Sequence, residues 1–365
     1  MDEVREGGAA ELQVEDSGKS CYNESGSAIA CCDFRKGRCT MDHPILLSLI
    51  IPTYNCGAFF RDSLERLLAS RPAGFEIVLS DDGSVDDTRS VLKDFEGKYE
   101  DLTILYNEHH GVSVTRNTGL EAARGKYITF LDCDDCFHSG FLTEERLRFP
   151  EEADLYIFGM ERQTLDGRRD QWLLEDRCYP DASHFADEYI RKHKLLVYSV
   201  ANKLYKRSIV EGLGLRFEEG MQFGEDRLFN FRYLEACGKI ITSSEIMQDY
   251  IQRSDVSLSN IYKPRYFETI LALHQAKMDC VLRLSKGTSE QEKRAYRAYD
   301  LTNEIKLTID RFSTFPLEKE ESLRAINRVI FGKEESPAGL EDWYCSEQQK
   351  EAVLDGLRKR IMEAE

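Results

Sequence analysis

From residue 46 onward, short apolar runs alternate with amphipathic stretches. The runs at 46–51, 75–79, 102–106 and 127–131 are dense in β-branched and aromatic residues, which predicts strands buried on both faces and paired largely in parallel. Between them, 58–69 sets Phe60, Leu64, Leu67 and Leu68 on one helical stripe, and 86–95 does the same with Val91, Leu92 and Phe95. A third helix over 112–123 carries small residues suited to close packing. A strand at 154–159 follows, then a mixed stretch with helices at 182–193 and 226–236. Beyond Pro264 the pattern is helical almost to the end, with turn signals at 285–287 and 336–339 and no internal repeat. The fold class is α/β, a Rossmann-like, mostly parallel sheet flanked by helices with a helical region appended.

Composition changes this picture in few places. A net charge of −17 repels phosphate backbones, which excludes nucleic-acid binding and means that a phosphate-bearing ligand needs cations placed locally. The longest apolar runs, 45–52 and 195–201, fall far short of the roughly 20 residues that span a bilayer, so no transmembrane helix is expected. The acidic start, 1–10, does not read as a secretory signal and points to the cytoplasm. Eleven cysteines, an odd number, are read as reduced thiols rather than a disulfide framework. The cluster Cys21, Cys31, Cys32 and Cys39 matches no common zinc spacing. Residues 1–43 mix Gly, Ser and charge without apolar periodicity and read as a disordered extension.

Three strand ends carry candidate chemistry, and ligands of open α/β sheets bind at such ends. After 127–131 come Asp132, Cys133, Asp134 and Asp135, carboxylates close enough to repel unless a hard cation such as Mg²⁺ or Mn²⁺ compensates; the same acids also suit a helix cap. Asp81 to Asp87 end the second strand, where Gly83 permits a tight turn, Ser84 or Asp86 caps a helix, and Asp82 can accept from a donor such as uracil N3–H. Pro52, Thr53, Tyr54 and Asn55 close the first strand; they read as a plain turn by composition, although Tyr54 can stack on a base. Acids at strand ends also serve haloacid-dehalogenase phosphatases, but here the two motifs stand in the wrong order.

The segments LSLIIPTYN, EIVLSDDGSVDDT and GVSVTRNTGLEAARGKYITFLDCDD resemble the nucleotide-binding half of family 2 glycosyltransferases. NKLYKRSIVEGLGLRFEEGMQFGEDRLFNFRYLEACGKI and DYIQRSDVSLSN resemble the acceptor half of bacterial surface-polysaccharide members. The resemblance implies a GT-A domain over 44–262, divided into a nucleotide half, 44–141, and an acceptor half, 142–262, followed by a helical region, 263–365. It implies that Pro52, Tyr54 and Asp82 hold uracil with Asn107 and Arg116 nearby. Asp132 meets the ribose or the metal, Asp134 coordinates Mn²⁺ or Mg²⁺ on the diphosphate, and Asp226 is the catalytic base with Glu225 beside it. The acid pair opening a helix is also what the helix dipole alone favours. Lys203, Lys206, Arg207 and Arg253 are candidate phosphate contacts, Arg253 foremost.

The implied reaction is inverting transfer of a hexosyl or N-acetylhexosaminyl group from a UDP-sugar to a hydroxyl of a glycan, a teichoic-acid-like polymer or a lipid-linked acceptor. The alternatives are a metal-dependent phosphotransferase or phosphohydrolase using the same acids, and a non-catalytic nucleotide-sugar-binding protein. Peripheral contact with the inner face of the cell membrane and a homo-oligomer through the C-terminal helices belong to the same expectation.

Overall fold

The structure is a computed structural model describing residues 44–57, 59–147, 151–192, 197–252, 263–311, 322 and 324–326, together with the backbone of three strands between 21 and 40. The chain forms two compact units, 1–45 and 46–365. In the first, where a loose extension is expected, β1 (Cys21–Tyr22), β2 (Ala28–Asp33) and β3 (Arg38–Thr40) pair as an antiparallel meander.

The second unit opens with the alternating pattern expected. Strands β4 (Leu47–Thr53), β5 (Phe75–Asp81), β6 (Leu102–Tyr106) and β7 (Tyr127–Phe130) alternate with helices α1 (Phe59–Ser70), α2 (Thr88–Phe95) and α3 (Val112–Ala122). All neighbouring pairs among these strands are parallel, in the order β7-β4-β5-β6. Successive strand side chains leave on opposite faces. Leu47, Leu49 and Ile51 therefore enter one core with Phe60, Leu64 and Leu92, while Ile50 and Phe130 enter the other with Leu120. Gly119 allows α3 to approach β4: a Cβ there would lie 2.4 Å from Ile50 Cγ2.

The remainder comprises β8 (Cys136–Phe137), α4 (Glu144–Leu147), β9 (Leu155–Gln163), β10 (Arg169–Trp172), β11 (Arg177–Tyr179), α5 (Ala182–Lys192), β12 (Lys203–Lys206), α6 (Arg207–Gly212), α7 (Glu225–Leu234), β13 (Ile240–Ile251), α8 (Tyr266–Leu284) and α9 (Glu290–Asp310). These strands extend the sheet in the order β11-β13-β9-β12, with β12 antiparallel to both β7 and β9. The parallel arrangement expected thus holds for the first half, and the whole sheet is mixed. Strand β13 escapes periodicity because Ser243, Ser244 and Glu245 interrupt its apolar run, where its register on β9 shifts between Thr242 and Ile246. Helices α8 and α9 pack on α5 and α7 and belong to this same unit. No described helix is long and apolar enough to cross a membrane.

Candidate active site

The carboxyl ends of β4, β5 and β7 lie side by side, and the turns after them bring the predicted acids to one edge. Neighbouring strands are about 4.8 Å apart, so the Asp82 and Asp132 turns, separated by β4, stand about 10 Å apart. That spacing suits a nucleoside lying across the edge.

At one end, Asp82 is buried and its carboxylate accepts the backbone N–H of His110 at 2.9 Å and of Gly111 at 3.0 and 3.1 Å. It thereby caps the start of α3, where the helix dipole favours an anion. His109 Nδ1 lies 2.9 Å from Asp82 Oδ2, and the imidazole stacks on Tyr54 with ring centroids 4.3 Å apart. Gly83, at φ +73°, permits this approach, because a Cβ would stand 2.7 Å from His109 N. Asn107 donates from Nδ2 to Ser80 Oγ at 2.9 Å. Pro52 is buried within β4 opposite Ser80, and the strand continues one residue past it, so its contribution is to the turn that presents Tyr54. Tyr54 itself is 45% exposed.

At the other end stands Arg116, buried on α3. Its Nη2 donates to Asp132 Oδ1 at 2.9 Å, and its Nη1 to Glu225 Oε1 at 3.0 Å and Asp226 Oδ1 at 2.7 Å. Arg116 is therefore a clamp on the acids, set on the helix whose start Asp82 holds. Burial disfavours its charge, but Asp226, Asp132 and Glu225 outweigh burial and hold its pKa above the ordinary value. Glu225 and Asp226 open α7 as expected, and Gly224 before them adopts φ +83°. Among the described residues, Asp226 Oδ2 receives a single long hydrogen bond, 3.4 Å, from Val200 N. Burial pushes Asp226 up to about 7, against the pull of Arg116 and helped by Glu225 and Asp132.

Asp132 to Asp135 form a turn closed by Asp135 N donating to Asp132 O at 3.0 Å. Asp134 is half-buried in it, and an open cleft of about 670 Å³ runs from Asp132 and Asp135 along α1. Asp135 points inward, accepting from Gln248 Nε2 at 2.8 Å and Ile251 N at 3.0 Å. Burial, then the charges of Asp132 and Asp134, raise it to about 8. A raised carboxyl pKa means the folded state holds the proton more tightly, so stability falls as pH climbs from the ordinary carboxylate range to about 8. Asp135→Asn is expected to abolish that fall in chelator, stabilising the protein by on the order of a few kcal/mol above pH 8 in urea unfolding. Parallel pH curves for the two proteins would show that Asp135 is ordinary.

Several expectations need correction. Cys56 and Cys133 form a disulfide, with Cα atoms 6.7 Å apart, across the turns that follow β4 and β7. Parallel pairing of those strands brings together cysteines 77 residues apart, which no local spacing reveals. Cys133 and Cys136 do stand in C-x-x-C spacing, a redox signal that the reading of reduced thiols leaves out. Two of the candidate phosphate cations, Lys206 and Arg207, lie away from the acids. Lys206 pairs with Glu152 and Asp154 at 3.1 Å each, and Arg207 Nε donates to Gly125 O at 2.7 Å. Because β12 runs antiparallel to β7, both lie at the opening of β7, whereas Asp132 follows its end. Lys203 is fully buried, bound to Ser199 O and to Asn202 Oδ1, and burial lowers its pKa to about 7. Arg253 lies outside the described residues.

Other groups at the site carry no sequence signal: His109, which closes on Tyr54, and Gln248, which holds Asp135. Beside Asp135, the ligand atoms of His138, Glu161 and Asp249 lie within 4.8 Å of one another. His138 binds Asp249 at 2.6 Å, and Glu161 accepts from Arg169 at 3.2 Å and Gln171 at 2.9 Å, a cluster closed on itself.

A sheet parallel in its first half and mixed beyond, flanked by helices and bearing acids after β5 and β7, has the architecture of the GT-A class. Residues 48–214 match the model of glycosyl transferase family 2. The chain is 29% identical over 239 residues to the uncharacterized glycosyltransferase EpsJ of Bacillus subtilis, covering 64% of this chain and 69% of that protein. It is 25% identical over 246 residues to the poly(ribitol-phosphate) beta-N-acetylglucosaminyltransferase TarP of Staphylococcus aureus, covering 63% and 71%. Its fold is similar to that of S. aureus TarS residues 1–349 in complex with UDP-GlcNAc, with a TM-score of 0.62 at 20% identity over 87% of this chain and 88% of that one.

Proposed function

We propose that this protein is an inverting transferase moving a hexosyl or N-acetylhexosaminyl group from a UDP-sugar to a hydroxyl of a glycan, a teichoic-acid-like polymer or a lipid-linked acceptor of the bacterial cell envelope. The observation that carries the reading is the gathering of Asp132, Glu225 and Asp226 around the buried Arg116 at the ligand-binding edge of the sheet. The UDP-GlcNAc held by TarS supports the donor class, and the names of TarP and of the minor teichoic acid biosynthesis protein GgaA of B. subtilis support the acceptor class.

Asp226 takes the proton from the acceptor hydroxyl as that oxygen attacks the anomeric carbon on the face opposite the nucleotide, which inverts the centre in one displacement. Arg116 anchors Oδ1, leaving the weakly held Oδ2 as the atom placed to receive the proton. A base near 7 matches proton transfer close to neutrality, a contribution of roughly 10²- to 10⁴-fold. Tyr54, Asp82 and Asn107 serve the base end of the donor. His109 must then move off Tyr54 or share its ring with the uracil.

The donor set at Asp132, Asp134 and Asp135 fits Mn²⁺ or Mg²⁺: it offers only hard carboxylate oxygens, and burial, followed by the charges of Asp132 and Asp134, raises the Asp135 carboxyl among them. Asp134 with Asp132 would hold the ion, which supplies charge neutralisation of the departing diphosphate. Activity is expected to disappear in chelator and in Asp134→Ala. With metal restored, kcat of the unaltered enzyme should rise with pH and level off above about 7, because the base acts deprotonated. Full turnover in chelator, or a rate that falls over that interval, refutes the metal or the base respectively.

A further inference from the structure

Behind the acid pair of α7 lies a second set of charges, which joins α7 to α8 and α9. Arg227, next in the chain to Asp226, donates from Nη1 to Glu304 Oε1 of α9 at 3.2 Å and lays its guanidinium 4.2 Å from the ring centre of Tyr198. Lys277 of α8 is 1% exposed; it binds the Tyr198 hydroxyl and Asp300, with Glu304 3.6 Å away. Asp300 is completed by His274 Nδ1 at 2.8 Å.

Two routes lead from this network to Asp226. One is the Arg227 backbone itself. The other runs through Tyr198, because Val200, two residues on, supplies the N–H that holds Asp226 Oδ2. That segment is stiffened by Asn230, whose Nδ2 donates to the carbonyls of Val197, Tyr198 and Ser199 at 2.6, 3.3 and 3.1 Å. Gly224, at the head of α7, also packs against α8 so closely that a Cβ would meet Leu273 Cδ1 at 2.3 Å.

Burying three charges beside a half-buried fourth to join three helices is a poor way to gain stability, since apolar side chains of the same size hold helices together as well or better. Glu304 Oε2 moreover has no hydrogen-bond partner among the described residues, a further penalty for a buried acceptor. What charged pairs do supply is direction: each accepts few arrangements, whereas an apolar contact tolerates sliding.

We propose that Glu304 and Lys277 are positioning residues of the active site: through Arg227 and Tyr198, α8 and α9 hold the start of α7 so that the Asp226 carboxylate faces the acceptor. The proposal rests on Asp226 being the base. It gives the helices after residue 263 a part in the reaction beyond covering the sheet.

The test is a kinetic cycle with Glu304→Gln, which keeps size and one acceptor oxygen and removes the charge, in the unaltered and Asp226→Asn backgrounds. Misorientation of about 1 Å typically lowers turnover about 10²-fold, so kcat is expected to fall 10- to 100-fold with the donor KM within twofold. In the Asp226→Asn background the same change should lower residual turnover by less than threefold, because the group being positioned is gone. Arg227→Gln breaks the same pair from its more exposed end, carries the same expectations and decides the matter if Glu304→Gln does not fold. A kcat within twofold of the unaltered enzyme overturns the proposal. So does an equal loss in both backgrounds, which would place the effect elsewhere in the protein. If Asp226→Asn alone remains active, it is the base assignment that has failed, a result separable from the effect of Glu304→Gln.

Discussion

Asp226→Asn is expected to lower kcat by roughly 10²- to 10⁴-fold, about 3–5 kcal/mol of transition-state stabilisation, while UDP binding changes less than threefold. The substitution is nearly isosteric, and the Asn oxygen can still accept from Arg116 Nη1, so the 2.7 Å contact that orients the side chain survives. What disappears is the ability to take a proton. The sign of the stability change follows from the raised pKa of Asp226. Its carboxyl holds a proton more tightly in the folded state than in the unfolded chain, so its ionisation weakens the fold progressively from the ordinary carboxylate range up to about 7. The neutral amide escapes this, and the variant should unfold at a higher urea concentration than the unaltered protein at pH 8. Steady-state rates, calorimetric titration with UDP and urea unfolding read the three effects separately. A kcat within tenfold of the unaltered enzyme would move the base to another residue.

Arg116→Met should produce the largest loss of stability of any single change at the site, about 3–5 kcal/mol at pH 8. Methionine keeps much of the packing against Phe217, whose ring centre lies 5.3 Å from the guanidinium. It leaves Asp132, Glu225 and Asp226 without their shared cation. Carboxylates deprived of that partner titrate higher, so the deficit is present at high pH and shrinks as pH falls and they protonate. Mn²⁺ should recover part of it, since an ion bound only by the folded state stabilises by mass action. Arg116→Lys is expected to fall between: one ammonium cannot reproduce a fork that serves Asp132 from Nη2 and the acid pair from Nη1. Urea unfolding at pH 8 and at pH 5.5, with and without Mn²⁺, measures all of this. A pH-independent deficit would mean that the loss is one of packing alone.

Both variants act on a contact that no local pattern contains. Asp82, Asp132 and Asp134 are legible because the end of a strand is a one-dimensional property: the apolar run stops, and whatever follows stands at the edge of the sheet. Glu225 and Asp226 are legible because acids suit the first turn of a helix. Tyr54 is legible as a ring beside a strand end, but its partner His109 follows a different strand and is paired with it only by the parallel order of β4, β5 and β6. Two of the candidate cations stand away from the acids for a related reason. Lys206 and Arg207 stand near the acceptor motif in the chain, yet the antiparallel run of β12 carries them to the opening of β7.

By itself, then, the sequence determined the alternation of strands and helices from residue 46, the turns that bear the acids and the helical character of the described stretch from Tyr266 to Asp310. These follow from backbone geometry, which repeats every 2 or 3.6 residues and so appears in any short window. Only the tertiary structure decided that Arg116 meets acids 16, 109 and 110 residues away, that Cys56 joins Cys133, and that Arg227 reaches Glu304. Those pairings depend on strand order, strand direction and the packing of helices on the sheet, and a residue's near neighbours carry none of that information.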